Sequence, residues 1–436
     1  MEKLLAMAQA QEAQAEIYQL DTGLDMVTFE NGRLKDISSS IQSGISLRLI
    51  KDRKIGFTYT RNLTDREELL RSGLVTLRIG AEAHFDFPRT DPQPVLSTYD
   101  PAIEDLTNTA LAAECQRIQR TLSGRTQALI HLNALKYDYE QRVLNTSGTD
   151  LRAKSSAYFL QAMLILPGGS SGIRRGISAK SFLPASDEFL DFLVGLTSPA
   201  FREAQPKTGN MKVLFMPEAM YALTWRLRSA TSGKSIYHKE SPVADKLGQK
   251  IFDEKLTVYD DPRNDQMPLA AAFDSEGTPT QKLTIVDRGV LKNFYYDLEY
   301  ASRMNVPPTG HGNRSAMMGG DPITIKPNPA LDYMYIAPGA HSFENLVTSM
   351  DRGMIVSGVL GAHSGNIPNG DFSIGLSPGL YVEDGVIQGR VNEAMIAGNI
   401  YDLFREIVAI EDQTVPTFGG NFPSVIFDNV RVATRD

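Results

Sequence analysis

At 436 residues the chain is past the size at which one hydrophobic core keeps growing, so two or three domains are expected. Its 42% apolar and 22% charged residues are those of an ordinary globular protein, with no low-complexity tract or block of like charge to indicate disorder. The 44 Lys and Arg residues against 52 Asp and Glu give a net charge of -8, which works against tight binding to phosphate backbones and argues against direct nucleic-acid binding. Cys115 is the single cysteine, which excludes an intrachain disulfide and a thiolate metal cluster. It sits in the helical pattern LAAECQRIQ as a small buried side chain and fits a reducing cytoplasm. No run approaches the roughly 18 apolar residues of a membrane span, so no membrane partner is expected.

In chain order, MEKLLAMAQAQEAQAEIY reads as an amphipathic helix, because Gln9, Gln11 and Glu12 break the apolar stretch too early for a secretory signal. The pattern then changes to period two, with an Asn31-Gly32 turn between strands near 24–30 and 33–38. GISLRLIK places Ile45, Leu47 and Leu49 on one face and returns through Asp52 to Lys54 into IGFTYT. A helix begins at Thr64, with Glu67 completing a capping-box pattern. The proline-rich 88–101 has no periodicity and marks a first boundary. A helix over about 103–122, two strand-like runs, the Gly-rich GGSSGIRRG and the helix DEFLDFLVGL follow, up to the polar segment 204–210. From there the strand MKVLFM, a helix around Trp225 and several hairpins lead to a final strand, SVIFDNVRV. Turns at Asp287-Arg288-Gly289 and Asp384-Gly385 mark two of the hairpins.

These elements predict an α+β fold. Antiparallel meanders covered by helices form an N-terminal domain at 1–100 and a central domain at 101–207. A large, mixed but mostly antiparallel β domain of barrel-like type spans 208–436. The absence of βαβ alternation argues against a Rossmann-type sheet.

Few motifs carry chemistry. Gly233-Lys234-Ser235 resembles the end of a P-loop, but Arg228 stands where that loop needs glycine, and a surface turn is expected. GGSSGIRRG can form an anion nest beside Arg174 and Arg175, yet lacks GxGxxG spacing and reads as a hairpin connection. The six histidines are His84, His131, His238, His311, His341 and His363; none shares helical i, i+4 spacing with another, and HExxH and GxSxG are absent. His311 in PPTGHGNRS stands out, because Gly312 and its neighbours permit close backbone approach to a ligand and Arg314 can hold a carboxylate. With His363 these residues form a candidate substrate cavity.

FENGRLKDISSS and SGISLRLIKDRKIGFTYT near the front, AAFDSEGTPTQKLTIVDRGVLKNFYYDLEYASRM later, and NGDFSIG, GLYVEDGVI and AGNIYDLFREI near the end together resemble the TldD/PmbA family. Its members, once called modulators of DNA gyrase, form an unusual class of metallopeptidase. The resemblance runs through nearly the whole chain. In TldD-type members a helix carrying HExxxH follows a strand like MKVLFM, and a late cysteine completes a zinc site. Aligning the strand and helix starts puts Trp225 and Ala230 at the two histidines and Arg226 at the glutamate. An indole N–H only donates and a methyl offers no ligand. A guanidinium with pKa above about 12 is no general base. No cysteine follows Cys115.

The resemblance therefore implies a metal-free PmbA/TldE-type subunit, with no catalytic residue, metal or cofactor of its own. Such a subunit pairs with an HExxxH-bearing TldD-like paralogue in a cytoplasmic peptidase and helps enclose and guide unfolded peptides. Trp225 suits a channel wall and equally the core of its helix packing. The alternatives are a homodimeric peptide-binding or adaptor protein, and a metal-independent stand-alone hydrolase.

Overall fold

The computed structural model describes all residues except 169–171, 317–318, 418 and 435–436. The N-terminal region is built on a long antiparallel ribbon. Strand β1 (Gln14–Glu30) turns at Asn31 and Gly32, whose φ angles of 51° and 78° suit that hairpin, into β2 (Arg33–Lys51). The two strands are 17 and 19 residues long, continuous where the sequence suggests short separate strands. Polar residues in 36–43 hide the strand because that half of β2 is largely exposed, so burial imposes no alternation there.

A second tight turn at Asp52-Arg53 leads to β3 (Lys54–Thr60). Helix α1 (Glu2–Gln9) precedes the ribbon and α2 (Arg66–Leu77) follows it. The cap of α2 is one residue later than expected: Asp65, not Thr64, accepts the Glu68 N–H at 2.9 Å.

Strand β4 (Ala81–Glu82), the short helix α3 (Ala102–Asp105) and α4 (Asn108–Ser123) lead to β5 (Leu129–Asn145), β6 (Asp150–Ile165) and β7 (Gly172–Ala179). Together they form one seven-stranded sheet ordered β4-β3-β2-β1-β5-β6-β7. β1 pairs with β5 from Glu16↔Asn145 to Glu30↔His131, so the expected 1–100 and 101–207 units share this sheet. The proline-rich segment between them runs along it, tied by Asn145 Nδ2 donating to the Pro88 carbonyl at 2.8 Å and Ser156 N–H to that of Thr98 at 3.0 Å. Of GGSSGIRRG, residues 169–171 lie outside the described residues; Arg174 and Arg175 are half-buried in β7. Helix α5 (Asp187–Ala200) is capped by Ser186.

The long sheet buries both faces. Ala15 and Ile17 of β1 join Ile45, Leu47 and Leu49 of β2 beneath α1 and α2, while Val27 and Phe29 pack with α4. The alternate residues, Glu16, Tyr18 and Leu20, face the C-terminal region, where Tyr18 and Leu20 meet Phe273 and Ile323.

That region contains a nine-stranded sheet curled into a half-barrel, with β8 (Gly209–Phe215) between 352–356, its parallel neighbour, and 425–433, antiparallel to it. A six-stranded sheet includes 258–260, 283–287, 334–336 and 420–422. Helix α6 (Tyr221–Thr231) follows β8 and is enclosed by this core on all but one stripe, formed by Tyr221, Trp225, Arg228 and Ser229 at helical spacing. Gly233–Tyr237 form a short helix rather than the expected surface turn; Gly233 is pressed on Tyr296, which leaves no room for a Cβ. Among the described residues, no helix is long and apolar enough to cross a membrane.

One buried ion cluster joins the long sheet to the C-terminal region. Arg48 meets its cross-strand neighbour Glu16 at 2.8 and 2.6 Å and reaches Glu276 at 2.7 Å, all three essentially without solvent contact. Glu276 also accepts the Leu298 N–H at 2.8 Å. Removing one member strands the others in a dry interior. Arg48→Met should lower stability in urea denaturation by about 3–5 kcal/mol, and adding Glu16→Leu and Glu276→Leu to it should recover much of that loss.

Candidate functional site

The largest side chain on α6 to lose all solvent contact is Arg226. Every hydrogen bond it makes goes to a backbone carbonyl: Nε to Asp371 at 2.6 Å, Nη1 to Ala222 at 2.5 Å and Ala362 at 3.1 Å, Nη2 to Ser364 at 2.7 Å. Burial pulls its guanidinium down to about 10, and the nearby Asp371 carboxylate opposes that shift. The side chain is thus a clamp, fastening the 362–371 loop to the helix. Ala230 is fully buried beside it, and its carbonyl accepts from Ser241 Oγ at 2.6 Å. Trp225 lies on the helix's half-buried stripe instead.

The four cavity candidates do not come together. His363 is exposed on the loop that Arg226 grips, between the clamped carbonyls of Ala362 and Ser364. His311 is buried, with Nδ1 2.9 Å from both the carbonyl and Oγ1 of Thr309 and Nε2 3.4 Å from Asp260 Oδ2. At Gly312 the backbone does approach a charged group closely, but that group is Glu276: a Cβ there would stand 2.1 Å from its Oε2. Arg314 lies with its Cζ 4.6 Å from the Tyr18 ring centre, donates to the Ile325 carbonyl at 2.8 Å, and has Glu16 Oε1 3.6 Å away.

Arg314 does line a cavity of about 390 Å³ between the long sheet and the C-terminal region. Tyr18, Tyr137 and Tyr139 stand on the sheet side, and Asp332, Tyr333 and Tyr335 on the other. His311 and His363 are not among its lining residues. Asp332 accepts from Ser315 Oγ at 3.2 Å; burial and the neighbouring Asp260 push its carboxyl up, against the attraction of Arg228 on α6. Asp260 in turn accepts the Tyr333 N–H at 2.9 Å. Nothing in the sequence nominates Asp332 or Asp260, since neither belongs to a motif. The only available hint is the dense aromatic spacing of YDY at 137–139 and DYMY at 332–335.

Two family models match: the PmbA/TldA metallopeptidase C-terminal domain over residues 208–434, and the PmbA/TldA metallopeptidase domain 1 over 15–73. The chain belongs to the PmbA/TldD metallopeptidase family. An uncharacterized protein of Methanocaldococcus jannaschii is 24% identical over 418 residues, covering 94% of this chain and 95% of that one. The metalloprotease PmbA of Escherichia coli O157:H7 is 30% identical over 229 residues, 52% of this chain and 47% of that protein. The crystal structure of TldE from Thermococcus kodakarensis superimposes with a TM-score of 0.90 at 23% identity, covering 99% of each chain, which establishes a shared fold.

Metallopeptidase membership implies a metal, and the residues on α6 do not fit one. The inner face of the helix presents a guanidinium, whose positive charge repels a cation, and the methyl of Ala230. Among the described residues, no group of three or more His, Cys, Asp and Glu is disposed to hold a metal ion. Cys115 is buried in α4, where desolvation and then Glu114 push its thiol up to about 12.

The folded chain holds the Asp332 proton more tightly than the unfolded chain does. This site therefore favours the fold at low pH and loses that contribution as pH rises from the ordinary aspartate value of about 4 through the raised folded value. Asp332→Asn, which carries no titrating carboxyl, should gain stability relative to the parent chain as pH rises. Urea denaturation across that range measures the difference, and a pH-independent gap would contradict the reading.

Proposed function

We propose that this chain is a PmbA/TldE-type subunit of a cytoplasmic TldD/PmbA-type peptidase. It carries no zinc ligands on α6, pairs with an HExxxH-bearing TldD-like relative, and helps enclose and guide unfolded peptides. The observation that carries this reading is Arg226: the helix position that the family resemblance gives to the catalytic glutamate is filled by a buried cation whose hydrogen bonds all go to backbone carbonyls, three of them in the 362–371 loop. Such a group neither takes a proton from water nor tolerates a metal beside it. Its work is to hold the 362–371 loop in place. The half-buried Trp225 stripe and the aromatic cavity suit contact with peptide side chains.

A second reading, a homodimeric peptide-binding or adaptor protein, is favoured by the ribbon. β3 pairs with β2 only from Ile45 onward, which leaves the outer edge of 33–44 without a neighbouring strand among the described residues, and Leu34, Ile37 and Ile41 are exposed there. An extended chain can add to such an edge through backbone hydrogen bonds. A metal-independent hydrolase has less support: His311 is buried and His363 exposed on another loop, and among the described residues His311 hydrogen-bonds no serine, threonine or cysteine other than Thr309.

The purified chain should cleave no unfolded peptide by itself. Mixed with an HExxxH-bearing relative, it should form a complex that cleaves, and a chelator should abolish that cleavage. Cleavage by the isolated chain would reject the subunit reading, as would failure of the pair both to associate and to cleave.

A further inference from the structure

Asp332 keeps an exposed surface and lines the cavity. Among the described residues it forms no ion pair; Ser315 Oγ is its hydrogen-bond donor. Arg228 offsets only part of the negative charge of Asp260 and Asp332. The cavity therefore presents an under-compensated carboxylate to an incoming cation.

Its walls suit the same ligand. Tyr259 and Tyr335 stack with ring centres 5.0 Å apart and planes 3° from parallel. Lys282 Nζ already sits 4.1 Å from the Tyr259 ring centre, so the chain uses one end of this stack as a cation platform. Tyr335, the other member of the stack, lines the cavity. Met267, Leu269 and Phe273 add apolar wall for an aliphatic stem.

Arg314 is the competing charge, and it points to the opposite ligand, a carboxylate. Its unpartnered nitrogens, Nε and Nη2, have essentially no accessible surface, so an incoming anion does not reach them. Glu16 lies 3.6 Å from Nη2, and the Tyr18 and Phe57 rings pack against the guanidinium. The charge that meets the open space is that of Asp332.

We propose that this cavity binds a primary ammonium on a short apolar stem, the group carried by a lysine side chain or by the amino terminus of an unfolded polypeptide, with Asp332 as counter-ion and the tyrosines as its aromatic surround. The volume of about 390 Å³ admits a group of side-chain size and no folded partner. The site is complete within this chain and does not depend on a catalytic partner.

Calorimetric titration of the intact chain tests this with three probes. Nα-acetyl-lysinamide carries the ε-ammonium, Nα-acetyl-norleucinamide the same stem uncharged, and norleucinamide the α-ammonium. Acetyl-lysinamide should bind saturably, with a dissociation constant on the order of millimolar and at least about tenfold below that of acetyl-norleucinamide. Binding of norleucinamide as well assigns amino termini to the site, and its failure assigns lysine alone. Asp332→Asn, checked for folding by circular dichroism, should weaken acetyl-lysinamide binding by about tenfold. Equal binding of the charged and uncharged probes to the unaltered chain overturns the proposal without any variant. So does unchanged affinity in a folded Asp332→Asn chain, or the absence of saturable binding by both ammonium probes. The cleavage assay with a partner is independent of each of these results.

Discussion

Arg48 stands on the face of the long sheet that meets the C-terminal region, and an arginine buried there needs carboxylates buried with it. Glu16 comes from the adjacent strand and Glu276 from the other side of the joint, so the cluster forms only when sheet and C-terminal region are docked in one register. The cluster positions much around it. Gly312 must be glycine because the backbone passes against Glu276, and Asp274 fixes that passage by accepting the N–H groups of Glu276, Thr278 and Gly312. Burial and the adjacent Glu276 push Asp274 well above the usual carboxylate range, a cost that its three backbone donors oppose. Arg314, two residues past Gly312, is thereby delivered to the cavity wall.

A second buried cation organises the far side of the C-terminal region. Arg226, like Arg48, is buried, but its hydrogen bonds go to backbone carbonyls rather than carboxylates; burial lowers its pKa, and the nearby Asp371 carboxylate only partly opposes that. Here α6 offers donors, and they hold the loop bearing His363 against the helix; in the proposed reading this clamp stands where a catalytic relative would carry lone pairs.

Where a residue's environment is local, the sequence reveals it. Asn31-Gly32, the alternation of Ile45, Leu47 and Leu49, and the Asp384-Gly385 turn each carry a backbone or burial requirement within a few residues, and each appears in the structure. The exposed half of β2 was not legible, because a strand with neither face well buried has no reason to alternate. Nor was the cavity. His311 and Gly312 attracted notice through neighbouring glycines, but the glycine serves Glu276, and the histidine lies behind the wall. Asp332 and Asp260 become neighbours only through the pairing of 258–260 with 334–336, a contact between segments remote in sequence. The one expected residue that lines the cavity, Arg314, is spent on the joint.

The proposed subunit role depends on α6 holding no metal. Elemental analysis of the chain purified from its native cells, and after incubation with excess zinc and gel filtration, tests it most directly. Zinc should stay far below one equivalent per chain in both samples. Stoichiometric zinc retained by the isolated chain would contradict it.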